Sequence, residues 1–227
     1  MAKGDSRGNS VQSAIGQNLQ ASRVRSVAVG IALMTVAVDF LIVMARIDPQ
    51  NRIALAILAF AIIVYLTDGD LESVGLQARP AQGWSPWVRW SYLIALMVGA
   101  CLAIGFGLWR LSGRPLPLHT TPPQVFWPYL LQMCFVAPML EETIYRLVVC
   151  VAFAPVIGCW PTIILNGCLF GALHVVYGSA SPENLVGGFF LAWAYLKSGT
   201  ILVPLLLHSA GNFLALGAQV AGWHLIN

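Results

Sequence analysis

The sequence is poor in charge. Of its 227 residues only 9% are Asp, Glu, Lys or Arg, whereas 58% are apolar, and the mean hydropathy is +0.77. A soluble domain usually carries about 25% charged residues. Long apolar runs and eight tryptophans accompany the deficit. This composition excludes an ordinary soluble domain and indicates a multi-span protein of the lipid bilayer.

Several functional signatures are missing as well. The net charge is only +3 and no basic stripe alternates with aromatic residues, so the sequence predicts no nucleic-acid partner. The five cysteines form no CxxC or CxxxC pair and lie in or beside apolar runs, which is typical of buried thiols. A serine nucleophile elbow and an HExxH motif are also absent.

Apolar runs organise the rest of the chain. A polar tail at residues 1–25 precedes a run at about 26–45, which is long enough to cross a bilayer and is followed by no small-residue cleavage site. We therefore predict an all-α, polytopic membrane bundle of seven to eight transmembrane helices, with one membrane-embedded domain at residues 26–227. The further runs lie at about 53–66, 90–109, 125–156, 160–177, 184–197 and 201–222.

The basic residues favour one orientation. If the N-terminus lies in the cytoplasm and seven spans follow, more Lys and Arg fall inside than outside, so the positive-inside rule predicts a cytoplasmic N-terminus. The inner residues would be Lys3, Arg7, Arg23, Arg25, Arg79, Arg89 and Lys197, and the outer ones Arg46, Arg52, Arg110 and Arg114.

The run at 125–156 is unusual in length and in charge. As a straight helix its 32 residues would reach roughly 48 Å, and its prolines predict that it kinks, tilts or breaks. It contains EETIYR, residues 141–146, although charge at membrane depth is costly and marks functional sites by default. Glu142 and Arg146 share a helical face and can pair, whereas Glu141 points about 100° away and is left for another role.

Two later spans carry polar residues at helical spacing. In NGCLFGALH, Asn166 and His174 share a stripe, and the GxxxG between them admits a close neighbour. In HSAGN, His208 and Asn212 project towards one neighbour. Each cluster alone is also explained by helix packing. Together they favour function, because polar groups avoid the lipid face and should converge inside the bundle.

The combined set allows hydrolysis of an amide. A carboxylate and an imidazole can take a proton from water, and a second imidazole and an amide N–H can donate to the oxyanion that forms. Glu141, His174, His208 and Asn212 supply these parts, which predicts proteolysis within or near the membrane. The first three could instead hold zinc as a His₂Glu site with an open position, and the sequence leaves both mechanisms open.

Other polar residues have simpler interpretations. Asp39, in the first span, is interpreted as a pairing partner of another group, and Tyr145 as a packing residue. His119, Glu183 and His224 are interpreted as solvated or interfacial side chains.

The three motifs resemble those of the CPBP family, the intramembrane proteases named for CAAX and bacteriocin processing and also called Abi proteins. EETIYR matches EExxxR, FGALH matches FxxxH and HSAGN matches HxxxN, in the family's order and within a catalytic core at about 125–215. The family includes the Ras-converting type of CAAX prenyl endopeptidase. The resemblance implies an all-helical protein of about eight spans and a glutamate-type endopeptidase.

The resemblance also implies a role for each motif. Glu141 and His174 would activate water, His208 and Asn212 would form the oxyanion hole, and the glutamate–arginine pair of EETIYR would support the site. No cofactor is expected. Older naming calls members of the family metalloproteases, so zinc is the alternative. The substrate would be a membrane-anchored protein or peptide, such as a prenylated C-terminal tail, a leader peptide or a C-terminal sorting helix.

The sequence departs from the family's pattern near the first motif. Leu147 stands where many relatives have Gly, and Tyr145 where Phe is frequent, which bears on substrate preference and removes no catalytic group. Two other functions compete. A non-catalytic scaffold or immunity protein would have no need of the full polar set, and a proton-coupled transporter would be expected to show an internal repeat with paired broken helices.

Overall fold

The computed structural model describes residues 15–16, 18–19, 22–48, 50–113 and 120–226. Within this part of the chain every regular element is helical and no strand occurs, which confirms the all-α prediction. The candidate residue His119 lies outside the described residues. The longer helices are α1 (Ser22–Met44), α2 (Gln50–Leu66) and α3 (Ser85–Ser112), followed, after the segmented stretch described next, by α7 (Cys159–Tyr177), α8 (Pro182–Ser198) and α9 (Leu202–Ile226).

The stretch that was predicted to kink or break is a continuous helical segment, residues 126–157, in which α and π geometry alternate. A π turn widens the helix by one residue, and such turns occur often at functional sites. One π segment lies directly before Pro138, whose ring would otherwise crowd a carbonyl of the preceding turn. Its parts are α4 (Phe126–Leu131), a first π segment (Gln132–Val136), α5 (Ala137–Glu142), a second π segment (Thr143–Cys150) and α6 (Val151–Ile157).

Proline and glycine mark several helix ends. Helix α8 begins at Pro182 and ends before Gly199, which has a φ of +69°. Helix α7 ends before Gly178, where φ is +84°. Proline is preorganised for the first helical turn, and glycine adopts the left-handed conformation that closes the last one. Gly178 and Pro182 thereby define the ends of the short connection between α7 and α8. Helix α7 carries the second motif, FGALH, and α8 is the helix that follows it.

The second π segment is the centre of the bundle. Residues Ile144–Cys150 are all buried, and α1, α2, α7 and α8 pack around them. Helix α5 packs on α2 and α9. The glutamates at the end of α5 are therefore enclosed by helices from both halves of the chain.

Helix α3 is attached differently. Trp87, near its start, is buried against Trp193 of α8, with ring centroids 5.5 Å apart. No described side chain in the most apolar 18-residue window of α3 is buried. Apart from its start at Trp87, the helix therefore presents a largely exposed apolar surface, which is suited to contact with lipid tails.

Four of the described helices are long and apolar enough to cross a membrane: α1, α3, α7 and α9. Helix α2 is apolar but has only 17 residues, as does α8. The segmented stretch 126–157 holds no single long α-helix. The seven to eight spans are thus not reached by this measure and stay a prediction.

The N-terminal tail is less peripheral than the sequence suggests. Ile15 and Leu19 are 2% and 1% exposed and belong to the main apolar core. A Cβ on Gly16 would lie 2.6 Å from the carbonyl oxygen of Val151, so the backbone approaches α6 closely there. Helix α1 already begins at Ser22. Two described residues of the predicted polar tail, Ile15 and Leu19, therefore pack in the core, and the tail at residues 1–25 stays a prediction.

Candidate active site

Glu142 is the most connected carboxylate of EETIYR. Its side chain is 1% exposed, with Oε2 3.1 Å from Nε of Arg146 and Oε1 2.9 Å from Nδ1 of His208. The predicted pairing of Glu142 with Arg146 is confirmed, and His208 of α9 joins it. An ionised carboxylate only accepts hydrogen bonds, so the Nδ1 atom of His208 carries a proton here.

Arg146 is completely buried, so its charge needs compensation. Glu142 provides the opposite charge, and the guanidinium carbon lies 4.9 Å from the centre of the Phe170 ring, a cation–π contact. The Nη2 atom donates weakly to the carbonyl of Gly188 at 3.4 Å. Arg146 thereby links α7, α8 and the second π segment beneath the glutamates.

Glu141 differs from its neighbour in access and in partners. Its side chain is 10% exposed, ten times the fraction of Glu142. Its Oε2 atom lies 3.7 Å from Nε2 of His208, which is too long for a hydrogen bond but close enough for electrostatic attraction. Glu141 thus stands apart from the glutamate–arginine pair, as the sequence predicted, but the imidazole of His208 is a neighbour that the sequence did not indicate.

His174 is held by its own helix. Its Nδ1 atom lies 2.9 Å from the carbonyl oxygen of Phe170, which can only accept, so Nδ1 carries the proton. In the neutral ring Nε2 is then an acceptor. Among the described residues, His174 makes no direct hydrogen bond or ion pair with Glu141.

The Phe170 ring connects the two histidines. Its centroid lies 4.4 Å from that of His174 and 5.8 Å from that of His208. On its other side it contacts Tyr145 at 5.5 Å. The sequence placed Phe170 on the stripe of the second motif, but its central position emerges only from the packing.

Asn212 is anchored to the first π segment. Its Nδ2 atom donates to the carbonyl of Met133 at 2.7 Å. In this segment the N–H of Ala137 bonds to Gln132, and the next possible donor to Met133 would be Pro138, which has no N–H. The proline thus leaves a carbonyl for Asn212 to satisfy.

Helix α7 is bound tightly to its neighbours. The side chain of Asn166 donates to the carbonyl of Tyr145 in the second π segment. A Cβ on Gly167 would lie 2.3 Å from the Phe189 ring, and one on Gly188 would lie 2.7 Å from the Cβ of Phe170. The close approach that the GxxxG predicted is therefore present between α7 and α8. This close packing sets the position of the Phe170 ring relative to the two histidine rings.

A second buried ion pair lies next to the motif helix. Asp39 of α1 accepts from Nε and Nη2 of Arg52 in α2 at 2.7 and 3.1 Å, and the hydroxyl of Tyr145 lies 3.5 Å from Asp39. The interpretation of Asp39 as a pairing partner is confirmed. Arg52 is not the outer charge that the orientation count assumes, since it is only 9% exposed. The cytoplasmic N-terminus stays a prediction.

The other two polar candidates that the structure describes, Glu183 and His224, are exposed, as the sequence indicated. Zinc binding by Glu141, His174 and His208 stays the alternative that the sequence left open. In the described part of the chain, no three His, Cys, Asp or Glu side chains are grouped so that they could hold a metal ion. The Nδ1 atoms of both motif histidines are engaged by Phe170 and Glu142. No step of the chemistry below is therefore assigned to a metal.

Residues 122–214 match the family model for type II CAAX prenyl endopeptidase Rce1-like proteins. This segment, which is less than half of the chain, is similar to the Rce1-like family. The resemblance of the three motifs to the CPBP proteases is confirmed, since all three lie within the matched residues. Comparisons with curated proteins and with solved structures gave no match.

The family and the apolar helices together make the chain an integral membrane protein related to CAAX proteases. The Rce1-like match begins just before α4 and ends within α9. It therefore includes Glu141, His174, His208 and Asn212 but not the Asp39–Arg52 pair. That pair lies on α1 and α2, the two helices that precede the matched segment in the chain.

Proposed function

We propose that this Rce1-like protein is a glutamate-type intramembrane endopeptidase that hydrolyses a peptide bond in a membrane-anchored protein or peptide. One observation carries the proposal: Glu141 and Glu142 of α5 meet His208 of α9 at 3.7 and 2.9 Å inside the matched segment. These residues lie far apart in the sequence. A bundle that served only as a scaffold would have no reason to bury them together.

Glu141 and His174 are the groups that activate water. Glu141 is the carboxylate with access to the site, and the Nε2 atom of neutral His174 is free to accept a proton. Glu141 takes a proton from a water as the water oxygen bonds to the carbonyl carbon of the peptide, while Nε2 of His174 accepts a hydrogen bond from the same water. The C–N bond then breaks as that proton passes to the amine nitrogen, which gives a carboxylic acid and an amine and leaves Glu141 ionised again.

Asn212 and His208 stabilise the oxyanion. An amide group has two N–H donors, and Asn212 gives one to Met133, which leaves the other for the developing negative charge. His208 already donates from Nδ1 to Glu142, so donation from Nε2 as well requires its imidazolium form. Glu142 is a positioning residue because it orients this ring and compensates Arg146.

The substrate class follows from the family and the location. The family is named for prenyl endopeptidases of CAAX sequences, so a peptide that ends in a CAAX sequence with its cysteine prenylated is the first substrate to try. A hydrophobic leader peptide and a C-terminal membrane helix complete the panel. All three share an apolar anchor that holds a scissile bond at the level of the buried motifs.

The test is cleavage of these peptides by the purified full-length protein in liposomes. Wild type is compared with Glu141→Ala, His174→Ala and Asn212→Ala, each with and without a strong chelator. We expect Glu141→Ala and His174→Ala to abolish cleavage and Asn212→Ala to lower kcat by about 10²- to 10³-fold. Chelation should leave the wild-type rate unchanged.

The other outcomes are equally informative. Loss of cleavage on chelation, restored by zinc, would establish the metal-dependent mechanism instead. Activity that survives Glu141→Ala would refute the assignment of the base. If the wild type cleaves none of the three peptide classes, the scaffold or immunity function becomes the better explanation.

A further inference from the structure

The Asp39–Arg52 pair has no role in the function proposed above. Asp39 is fully buried and Arg52 nearly so, and their two hydrogen bonds form a bidentate contact. Buried ion pairs often give little net stability, because desolvation offsets the attraction. Ionisable residues in membrane spans mark functional sites by default. Their burial beside the motif helix therefore requires a further explanation.

The pair lies close to the catalytic carboxylate. Helix α2, which carries Arg52, packs against α5, which ends at the two glutamates. Ala56, one turn after Arg52 on α2, packs in one cluster with Tyr145. Tyr145 follows Glu141 by four residues on the same helical segment, and its hydroxyl lies 3.5 Å from Asp39. The pair and Glu141 thus belong to one buried electrostatic group.

The three carboxylates of this group differ in whether they have an arginine partner. Glu142 has Arg146, and Asp39 has Arg52, but Glu141 has no arginine of its own. Arg52 uses Nε and Nη2 on Asp39, and its Nη1 atom makes no hydrogen bond to any residue that the structure describes. Arg146 also keeps its Nη1 atom without a hydrogen-bond partner, but it is fully buried against Glu142, whereas Arg52 lies on the helix that packs on the other side chains of this group.

We propose that Asp39 and Arg52 form a positioning pair for Glu141. Asp39 fixes the Arg52 guanidinium, and the fixed positive charge holds the Glu141 carboxylate in the orientation in which it takes the proton from water. This inference rests on the proposed function, because it assigns Glu141 as the base. It extends the site to α1 and α2, which lie outside the Rce1-like match.

The test is steady-state cleavage by full-length variants, with thermal unfolding in detergent measured on the same samples. Arg52→Gln removes the charge and leaves Asp39 unpaired. The double variant Asp39→Asn with Arg52→Gln removes both charges and leaves no buried charge without a partner. Arg52→Lys keeps the charge. Arg46→Gln is the matched control, since Arg46 is exposed in the loop between α1 and α2.

We expect Arg52→Gln to lower kcat at least about tenfold with little change in KM, because small displacements of a catalytic group cost rate more than affinity. The double variant should recover the thermal stability of the wild type but not its kcat. Arg52→Lys should retain more kcat than Arg52→Gln, and Arg46→Gln should behave as the wild type.

Two results would overturn the inference. Recovery of kcat together with stability in the double variant would show that the pair is only structural. A rise in KM at unchanged kcat would assign Arg52 to substrate binding. Glu141→Gln is assayed in parallel, because its retained activity would refute the proposed function, whereas unchanged kcat in Arg52→Gln refutes only the positioning pair.

Discussion

At the scale of single residues, burial separates two glutamates that are adjacent in the sequence. Glu142 is buried and contacts both Arg146 and His208. The side chain of Glu141 is partly exposed, and its Oε2 atom lies 3.7 Å from Nε2 of His208. A carboxylate with two close partners is suited to holding other groups in place. One with access and no hydrogen bond is suited to receiving a proton.

Because the two glutamates differ in burial and partners, replacing each by Gln should reduce the stability of the protein by different amounts. Glu142→Gln leaves Arg146 buried without its counter-charge, so the protein should lose about 3–5 kcal/mol of stability. Glu141→Gln breaks no hydrogen bond and should leave thermal unfolding in detergent nearly unchanged. Cleavage should be lost in both variants. Equal destabilisation of the two would contradict the division of roles between the glutamates.

At the scale of elements, the π segments decide where the motif residues point. An α-helix advances each residue by about 100°, so a residue added by a π turn rotates everything after it. Pro138 lies at the exit of the first π segment, where its missing N–H leaves the Met133 carbonyl to Asn212. Asn212 of the third motif is thus bound to the backbone of this segment, in addition to the side-chain contact between His208 and Glu142.

Two adjacent glycines of α8 test the packing of α7 on α8. Gly188→Ala would place a Cβ 2.7 Å from the Cβ of Phe170, whereas a Cβ on Gly187 would have no neighbour within 4 Å. We expect Gly188→Ala to cost about 1–3 kcal/mol through overpacking and to lower kcat, because Phe170 contacts both histidine rings.

Gly187→Ala serves as the control, since alanine favours the helix more than glycine does. Its unfolding temperature and its kcat should equal or exceed those of the wild type. Similar losses in the two variants would show that the contact of Phe170 with α8 does not determine the geometry of the site.

At the scale of the whole molecule, the Rce1-like segment depends on helices that carry no family motif. Helices α1 and α2 pack on the second π segment, and the chain around Ile15 and Leu19 completes the same core. The Rce1-like segment alone would expose these apolar surfaces and leave Tyr145 without the Asp39 contact. The unit that folds and works is therefore larger than the matched residues.

The orientation of the molecule is testable by labelling. In a variant without the five native cysteines, Ser6→Cys should react with a membrane-impermeant maleimide only after permeabilisation of the cells. Ile47→Cys, in the exposed loop after α1, should react in intact cells, because α1 is long enough to carry the chain across the membrane. The reverse pattern would refute the predicted cytoplasmic N-terminus.

The sequence by itself determined the features that depend on local spacing. Glu142 and Arg146 lie four residues apart, so one helical turn is sufficient to pair them. The three ordered motifs identify the Rce1-like segment, and the apolar runs indicate the membrane helices. The GxxxG between Asn166 and His174 predicts close packing whatever the partner helix is.

Only the tertiary structure decided which distant groups meet. His208 is 66 residues from Glu142, and Arg52 is separated from Asp39 by a loop, so their pairing depends on the register in which helices pack. The sequence counted Arg52 as an outer charge because nothing local marks it as buried. The π turns likewise arise where proline and packing compete with regular hydrogen bonding. Helical periodicity alone does not predict that outcome.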